Sequence, residues 1–222
     1  MKAEFYGRLR RSVELLDIEK NDRILNVGCK DAWLEELAKY RCKKIIGIDI
    51  NTEAISRNNK KIKNKNVKFL RVDITEKTSF KNRSFDKVCF LDVIEHLPQG
   101  TEGNALKEIN RVLKEDGVLI LSTPNNNPFC KFTDPGYWVL GHRHYSPDFI
   151  RGLLKKNDFE IEHLEVNGRW IELITLPFFA FFWFLKYDIP FKKFFDQVID
   201  KEYNGHGWYT IMIKARKVRD VE

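Results

Sequence analysis

Gly28, Asp49, Asp73 and Asp92 each fall where an apolar run of this chain gives out: "RILNVG", "KKIIGID", "VKFLRVD" and "FDKVCFLD". A strand that ends in glycine and opens into a helix turns backbone N–H groups toward an anion or a ribose. A carboxylate on the next strand, about 20 residues further on, can accept hydrogen bonds from both ribose hydroxyls. Asp49 lies 21 residues after Gly28. One aspartate at a strand end is commonly a turn or a helix cap, but three in register with Gly28 describe a nucleotide-type site. The loop over residues 24–37, "ILNVGCKDAWLEEL", keeps a single glycine, followed by Cys29, Lys30, Asp31 and Ala32. A dinucleotide loop needs Gly-x-Gly-x-x-Gly, and here the second and third glycines are Lys30 and Trp33. NAD is therefore disfavoured.

The elements that must hold these residues follow from periodicity. Residues 4–18 place Phe5, Leu9, Val13 and Leu16 at three- and four-residue steps, which predicts an amphipathic helix within an N-terminal segment over 1–20. "RILNVG" reads as a strand, and Asp31 starts a helical pattern through Trp33, Leu34, Leu37 and Ala38. "KKIIGIDI" is a second strand, and Asn51-Thr52 caps a helix carrying Ala54, Ile55 and Ile62. "VKFLRVDI" and "FDKVCFLDVI" are the third and fourth strands. "TEGNALKEINRVLKEDG" is a helix with its stop at Gly117, and "VLILSTPN" a fifth strand broken by Pro124. This alternation predicts a doubly wound α/β sheet with helices on both faces, and near-continuous apolar strands suit covered faces. "SPDFIRGLLKKNDFEIEHLEV" adds a helix and a strand, and "GWYTIMIKARK" a closing strand. Between them lies an aromatic-rich insertion over 167–207. A single domain over 1–222 is expected.

In this order the stretches resemble the motifs of class I S-adenosylmethionine-dependent methyltransferases, especially the type 11-like branch acting on small molecules, quinones, lipids and glycans. "ILNVGCKDAWLEELA" is similar to the family's "VLDIGCGxG" loop, and "IIGIDINTEAI" to its acidic second motif. "VKFLRVDIT" and "FDKVCFLDVIEHL" resemble the third and fourth motifs, and "ALKEINRVLKEDGVLILSTPN" the helix and fifth strand. The resemblance covers about residues 20–165. It implies a Rossmann-like seven-stranded sheet, mostly parallel with an antiparallel C-terminal strand, and S-adenosyl-L-methionine as cofactor. It also implies roles: Asn26, Gly28, Cys29 and Lys30 line the methionine and ribose part, and Asp49 holds the ribose hydroxyls with Ile50 on the adenine face. Asp73 accepts the adenine amine while Ile74 donates its backbone N–H, and Leu91 and Asp92 lie beneath the methionine end. Taken singly, Ile50, Ile74 and Leu91 read as core.

The departures bear on activity. Asn26 stands where the family usually has a carboxylate, so a bond from the cofactor's ammonium loses charge assistance, which roughly doubles such a bond. Lys30 and Ala32 replace two glycines, while Gly28 is kept where the backbone must approach the ligand most closely. A weakened but working loop is expected, against a relic. A sulfonium donor needs little activation, so orientation supplies most of the rate. An oxygen acceptor must also lose a proton, and His96, His142 and His144 are the candidate bases. His96 reads alternatively as helix-start hydrogen bonding. His142 and His144, two residues apart with no close third ligand, do not make a metal site.

In the insertion, residues 173–185, "LITLPFFAFFWFL", carry no charge, are too few to span a bilayer and are interrupted by Pro177. Lys186, Lys192 and Lys193 then interleave with Phe191, Phe194 and Phe195. Residues 173–195 thus suit an interfacial helix on an anionic membrane, a lid over an apolar acceptor, a homodimer contact or plain core. The expected acceptor is a small apolar or lipid- or glycan-linked molecule, methylated on oxygen in preference to nitrogen or carbon. Two rivals are a catalytically silent binding module and an RNA methyltransferase. The second rests only on a net charge of +7 spread over 222 residues, and nucleic acid is not expected. "LDVIEHL" lacks the Asn/Asp-Pro-Pro-aromatic signature of amino-group methylation. A hydrophobic fraction of 43% with 32% charged residues excludes a disordered chain. Cys29, Cys42, Cys89 and Cys130 lack metal-type spacing and read as reduced, buried thiols. The N-terminal stretch has no signal-type apolar core, so the expected location is cytoplasmic, with a peripheral place on the inner membrane face as the variant.

Overall fold

The computed structural model describes residues 6–139, 141–185, 187 and 190–218; Phe5 and Lys186, given roles above, lie outside the described residues. Seven strands form one sheet: β1 (Arg23–Val27), β2 (Lys44–Asp49), β3 (Val67–Arg71), β4 (Phe85–Leu91), β5 (Leu113–Pro124), β6 (Phe159–Asn167) and β7 (Thr210–Lys217). Their order is β3-β2-β1-β4-β5-β7-β6, and β7 runs antiparallel to both of its neighbours while the other six are parallel. This is the Rossmann-like doubly wound sheet with an antiparallel C-terminal strand. The order reverses between β1 and β4, which opens the crevice at their carboxyl ends.

Both faces are covered. Against one lie α4 (Glu102–Val112) and α7 (Pro147–Lys156), whose Leu106, Ile109, Ile150 and Leu154 meet Leu25, Val27, Val88 and Phe90. Against the other lie α1 (Gly7–Leu16) and α2 (Trp33–Ala38), whose Leu16, Leu34 and Ala38 meet Ile24, Ile45, Cys89 and Ile120. Neighbouring residues of each strand thus point to opposite cores, so β1, β2 and β4 are largely apolar and buried along their length. α3 (Thr52–Lys61) seats Ile55 on Phe69 and Cys29, capped by Asn51, whose Oδ1 accepts from Ala54 N at 3.0 Å.

Four expectations are corrected. The N-terminal helix spans Gly7–Leu16 and ends at Asp17 in a left-handed conformation, so among the described residues it is shorter than the segment 1–20. Helix α2 begins at Trp33; Asp31 stays outside it, in an ion pair with Arg57 at 2.9 Å. Helix α4 stops at Val112 rather than Gly117, because Arg111 O and Val112 O accept from Arg83 N and Ser84 N and draw Leu113 into pairing with Phe85. The register between β4 and β5 then shifts, so residues 114–117 form a bulge with left-handed Asp116. Pro177 does not interrupt the insertion: α8 (Trp170–Phe184) runs through it, and α9 (Lys192–Glu202) packs back on α8.

Candidate functional site

At the crevice, β1 ends in a tight loop. Gly28 has φ +73°, and a Cβ there would lie 2.3 Å from Val93 Cγ2, so no side chain fits. Gly28 N and Cys29 N both donate to Ile48 O, at 2.8 and 3.0 Å, which locks the loop against β2. Lys30 and Ala32 hold φ of 32° and 57°, the left-handed backbone that glycine would otherwise supply. The loop thus carries side chains at two positions whose backbone lies in the region that glycine favours.

Asp49, the last residue of β2, accepts from Lys30 N through Oδ2 at 3.0 Å and from Asn51 N through Oδ1 at 2.9 Å. Each oxygen keeps lone-pair capacity, so the carboxylate is aimed and can still take two hydroxyl donors. Ile50 beside it is 65% exposed, an apolar side chain facing solvent at the mouth. Asp73 lies two residues beyond β3, its Oδ1 accepting from Thr75 N and Oγ1 at 2.8 and 2.6 Å. Ile74 is buried in the main core, so only its backbone is available to a ligand. Leu91 ends β4 half-buried, and Asp92 follows with φ 51°. Asp92 accepts from Ser122 Oγ at 2.8 Å and pairs with Arg8 Nη1 at 2.9 Å, so α1 brings a cation to the carboxyl end of β4.

Asn26 is buried beneath the loop and donates through Nδ2 to Glu35 Oε1 at 2.9 Å. Glu35, one turn into α2, is fully buried, and its Oε2 has no hydrogen-bond partner. Burial pushes its carboxyl up to about 7, against the hydrogen bond from Asn26, which acts the other way. A second buried carboxyl, Glu95, accepts from Thr123 Oγ1 at 3.0 Å and is raised well above the ordinary range by burial and then by Asp92.

The three histidines come together in the loops after β4 and β5. His96 closes a 3₁₀ turn, Ile94–His96, and its ring meets His142 edge-on with centroids 4.2 Å apart. Partial desolvation lowers His96, with His142 as the second cause. Asp134, between α5 (Pro128–Thr133) and α6 (Pro135–Val139), faces His142 Nδ1 and His144 Nε2 with one oxygen, at 3.3 and 2.9 Å. Its other oxygen accepts from Gly136 N at 2.8 Å. Burial alone would raise Asp134, but these bonds from His142 and His144 hold it far below the usual carboxylate range. The second ring nitrogens, His142 Nε2 and His144 Nδ1, are buried without a partner. A cleft of about 540 Å³ opens here, lined by Lys131, Tyr137, His142, Arg143, His144 and Tyr145. Arg143 fastens it to the turn after β4, reaching Ile94 O at 3.1 Å and Glu102 Oε1 at 3.2 Å. Among the described residues no group of three or more His, Cys, Asp or Glu is arranged to hold a metal ion.

The sequence singles out Gly28, the three strand-end aspartates and the histidines as candidates. It does not mark Asp134, Glu35 or Arg8. "TDPG" reads as a turn, a glutamate in a helix reads as solvated, and Arg8 reaches Asp92 only through the packing of α1.

A family model described as a methyltransferase domain matches residues 2–164. The chain belongs to this methyltransferase family. The family's cofactor is S-adenosyl-L-methionine, and the donor set fits it: paired capacity at Asp49 for vicinal hydroxyls, Asp73 for an amine, and a backbone cradle at Gly28. An uncharacterized protein of Methanocaldococcus jannaschii is 33% identical over 125 residues, covering 56% of this chain and 45% of that protein. A ubiquinone biosynthesis O-methyltransferase of Alkalilimnicola ehrlichii is 31% identical over 108 residues, covering 48% and 43%. The chain thus spans about half the length of the curated relatives it matches. An S-adenosylmethionine-dependent methyltransferase structure from Methanosarcina mazei superposes with a TM-score of 0.65 at 18% identity, covering 98% of this chain and 100% of that one.

Proposed function

We propose that this methyltransferase moves a methyl group to an oxygen of an apolar or lipid- or glycan-linked small molecule, with His142 as the base. The observation that carries this reading is the Asp134 carboxylate holding His142 and His144 beside His96, at the wall of the cleft. A base oriented by a carboxylate on its far nitrogen is the arrangement that activates a hydroxyl. The cofactor, when bound, supplies an electrophilic methyl on a sulfonium. His142 Nε2 takes the proton that leaves the acceptor hydroxyl, and Asp134 stabilises the resulting imidazolium through Nδ1. His144, whose side chain is fully buried, positions the shared carboxylate. Asp49, Asp73 and the Gly28 backbone would hold the cofactor, and Arg8, beside Asp92, would offer a cation to the carboxylate of its methionine end.

The apolar nature of the acceptor is supported by the surface that adjoins the cleft. α8 packs on α5 and α6, the helices that contribute Lys131 and Tyr137 to its wall. Across this surface Phe132, Trp138, Phe181, Phe184, Phe191 and Phe194 are exposed, flanked by Lys192. At 1.5 Å per residue α8 is about 22 Å long, short of the roughly 30 Å hydrocarbon layer. No helix among the described residues is long and apolar enough to cross a membrane. A peripheral seat in the headgroup zone, from which a lipid-like acceptor reaches the cleft, accounts for the surface. The similarity to a ubiquinone biosynthesis O-methyltransferase agrees with an oxygen acceptor.

The test is transfer of labelled methyl from S-adenosylmethionine to a panel of phenolic quinols, hydroxylated lipids and glycolipids. His142→Asn and Asp134→Asn should each lower kcat by about 10²–10³ with cofactor affinity kept within about twofold. Transfer that is indifferent to both substitutions would remove the base. Tight cofactor binding with transfer only to amines would overturn the oxygen reading.

A further inference from the structure

Glu35 is a fully buried carboxyl lying directly under the cofactor loop, and the chemistry described so far makes no use of it. It is wedged so closely that a Cβ on Gly47 would lie 2.3 Å from its Oε1 and 2.9 Å from Cys29 Cβ. The Asn26 amide donates to its Oε1, and its Oε2 has no partner. Asn26 in turn lies two residues before Gly28, where the chain turns into the crevice. An amide suits this place. Its NH₂ arm donates to Glu35 while its C=O arm, on the opposite side, stays free to accept from a ligand. A carboxylate at 26 could not donate and would set two acids at bonding distance.

We propose that Glu35, acting through the Asn26 amide, is the residue by which this site tells its positively charged donor from the neutral product. The proposal rests on the cofactor reading above. S-adenosylmethionine carries a sulfonium, an ammonium and a carboxylate, one net positive charge. Loss of the methyl leaves a thioether and no net charge. An ionised Glu35 attracts the sulfonium charge that only the donor carries; the ammonium and carboxylate are common to both ligands and do not discriminate. Binding of the donor therefore expels the Glu35 proton to solvent; after transfer the charge that favoured ionisation is gone, the proton returns, and the product is held more loosely. The titratable neighbours do not share this role. The Cys29 and Cys89 thiols are pushed far up, by burial first and then by Glu35, and stay neutral. Asp49 and Lys87 act on those thiols from the ends of β2 and β4. Glu35, raised to about 7, is the group of this cluster that changes charge near neutrality.

The experiment is calorimetric titration of the full chain near neutral pH with S-adenosylmethionine and with S-adenosylhomocysteine, each in two buffers of different ionisation heat. A fraction of a proton should leave with the donor and none with the product. In Glu35→Gln the release should vanish and the donor-to-product affinity ratio should fall by about fivefold, from loss of one partly screened charge interaction. The measurement on the wild type needs no variant, so it stands even where Glu35→Gln fails to fold. Equal proton release with both ligands, or an unchanged ratio in a folded Glu35→Gln, would overturn the proposal alone. Failure of the folded wild type to bind either ligand would instead overturn the cofactor reading beneath it.

Discussion

Lys30 and Ala32 share a left-handed backbone, yet they differ in what their side chains do. Lys30 is exposed, whereas the Ala32 methyl is buried against Cys29, Ile55 and Phe69. A non-glycine residue in that conformation costs about 1–2 kcal/mol, partly offset by the greater freedom glycine has when unfolded. Lys30→Gly should therefore raise stability to urea by about 0.5–1 kcal/mol. Ala32→Gly should gain little, because the lost methyl contact cancels the relief. Glu35 gives a second expectation at this scale. Its carboxyl is ordinary in the unfolded chain and raised to about 7 in the fold, so its contribution is full below about pH 4.5 and is lost as pH climbs through 7. Glu35→Gln removes that loss. Its stability relative to wild type should rise by about 2 kcal/mol between about pH 5.5 and about pH 8.5, read from urea melts at each pH. These groups also mark where sequence was readable. Gly28, Asp49, Asp73 and Asp92 announce themselves because strand ends repeat. Glu35 and Asp134 do not, because burial and partners decide their chemistry and neither is local in sequence.

Among the elements, the strands were legible and the helix ends less so. β1, β2 and β4 are buried on both faces, and that burial is what an unbroken apolar run records. The end of α4 at Val112 was decided by strand pairing across to residues 83–85, which outweighed the glycine stop at Gly117. The α8–α9 hairpin was legible as aromatic but not as two helices, since its apolar residues surround α8 and leave no period to read. Its exposed rings hold little of the core. Replacing Phe181, Phe184 and Phe191 together by serine should leave the melting temperature within about 5 °C, because surface substitutions away from packed features stay near ±0.5 kcal/mol each. The same protein should lose co-sedimentation with phosphatidylglycerol vesicles, while wild type binds them in preference to phosphatidylcholine. Wild type that ignores both vesicles and instead doubles its mass in light scattering would assign the surface to a homodimer. α1 is tied to this hairpin as well as to the site, with Gly7 N and Arg10 Nε both donating to Asp200 Oδ1, at 2.6 and 2.7 Å.

For the whole molecule, ligand binding should appear as added stability. At a cofactor concentration a hundredfold above Kd the native state gains about 2.7 kcal/mol, which in a protein of this size is about 5–10 °C in melting temperature. Asp49→Ala should abolish that shift without lowering the ligand-free melting temperature by more than about 2 °C, since its bonds are local to an exposed turn. The strand order carries a different kind of consequence. β7, residues 210–217, sits between β5 and β6 although it follows both in the chain. On the ribosome, β5 and β6 emerge with a strand-wide slot between them, and each presents an open ladder of N–H and C=O groups. Only residues 210–217 close it. A polypeptide released early, before residue 210, would keep both edges unpaired, and such edges recruit other chains. Translation that stalls before residue 210 should thus yield aggregates, and a synthetic 210–217 peptide supplied in trans should suppress them.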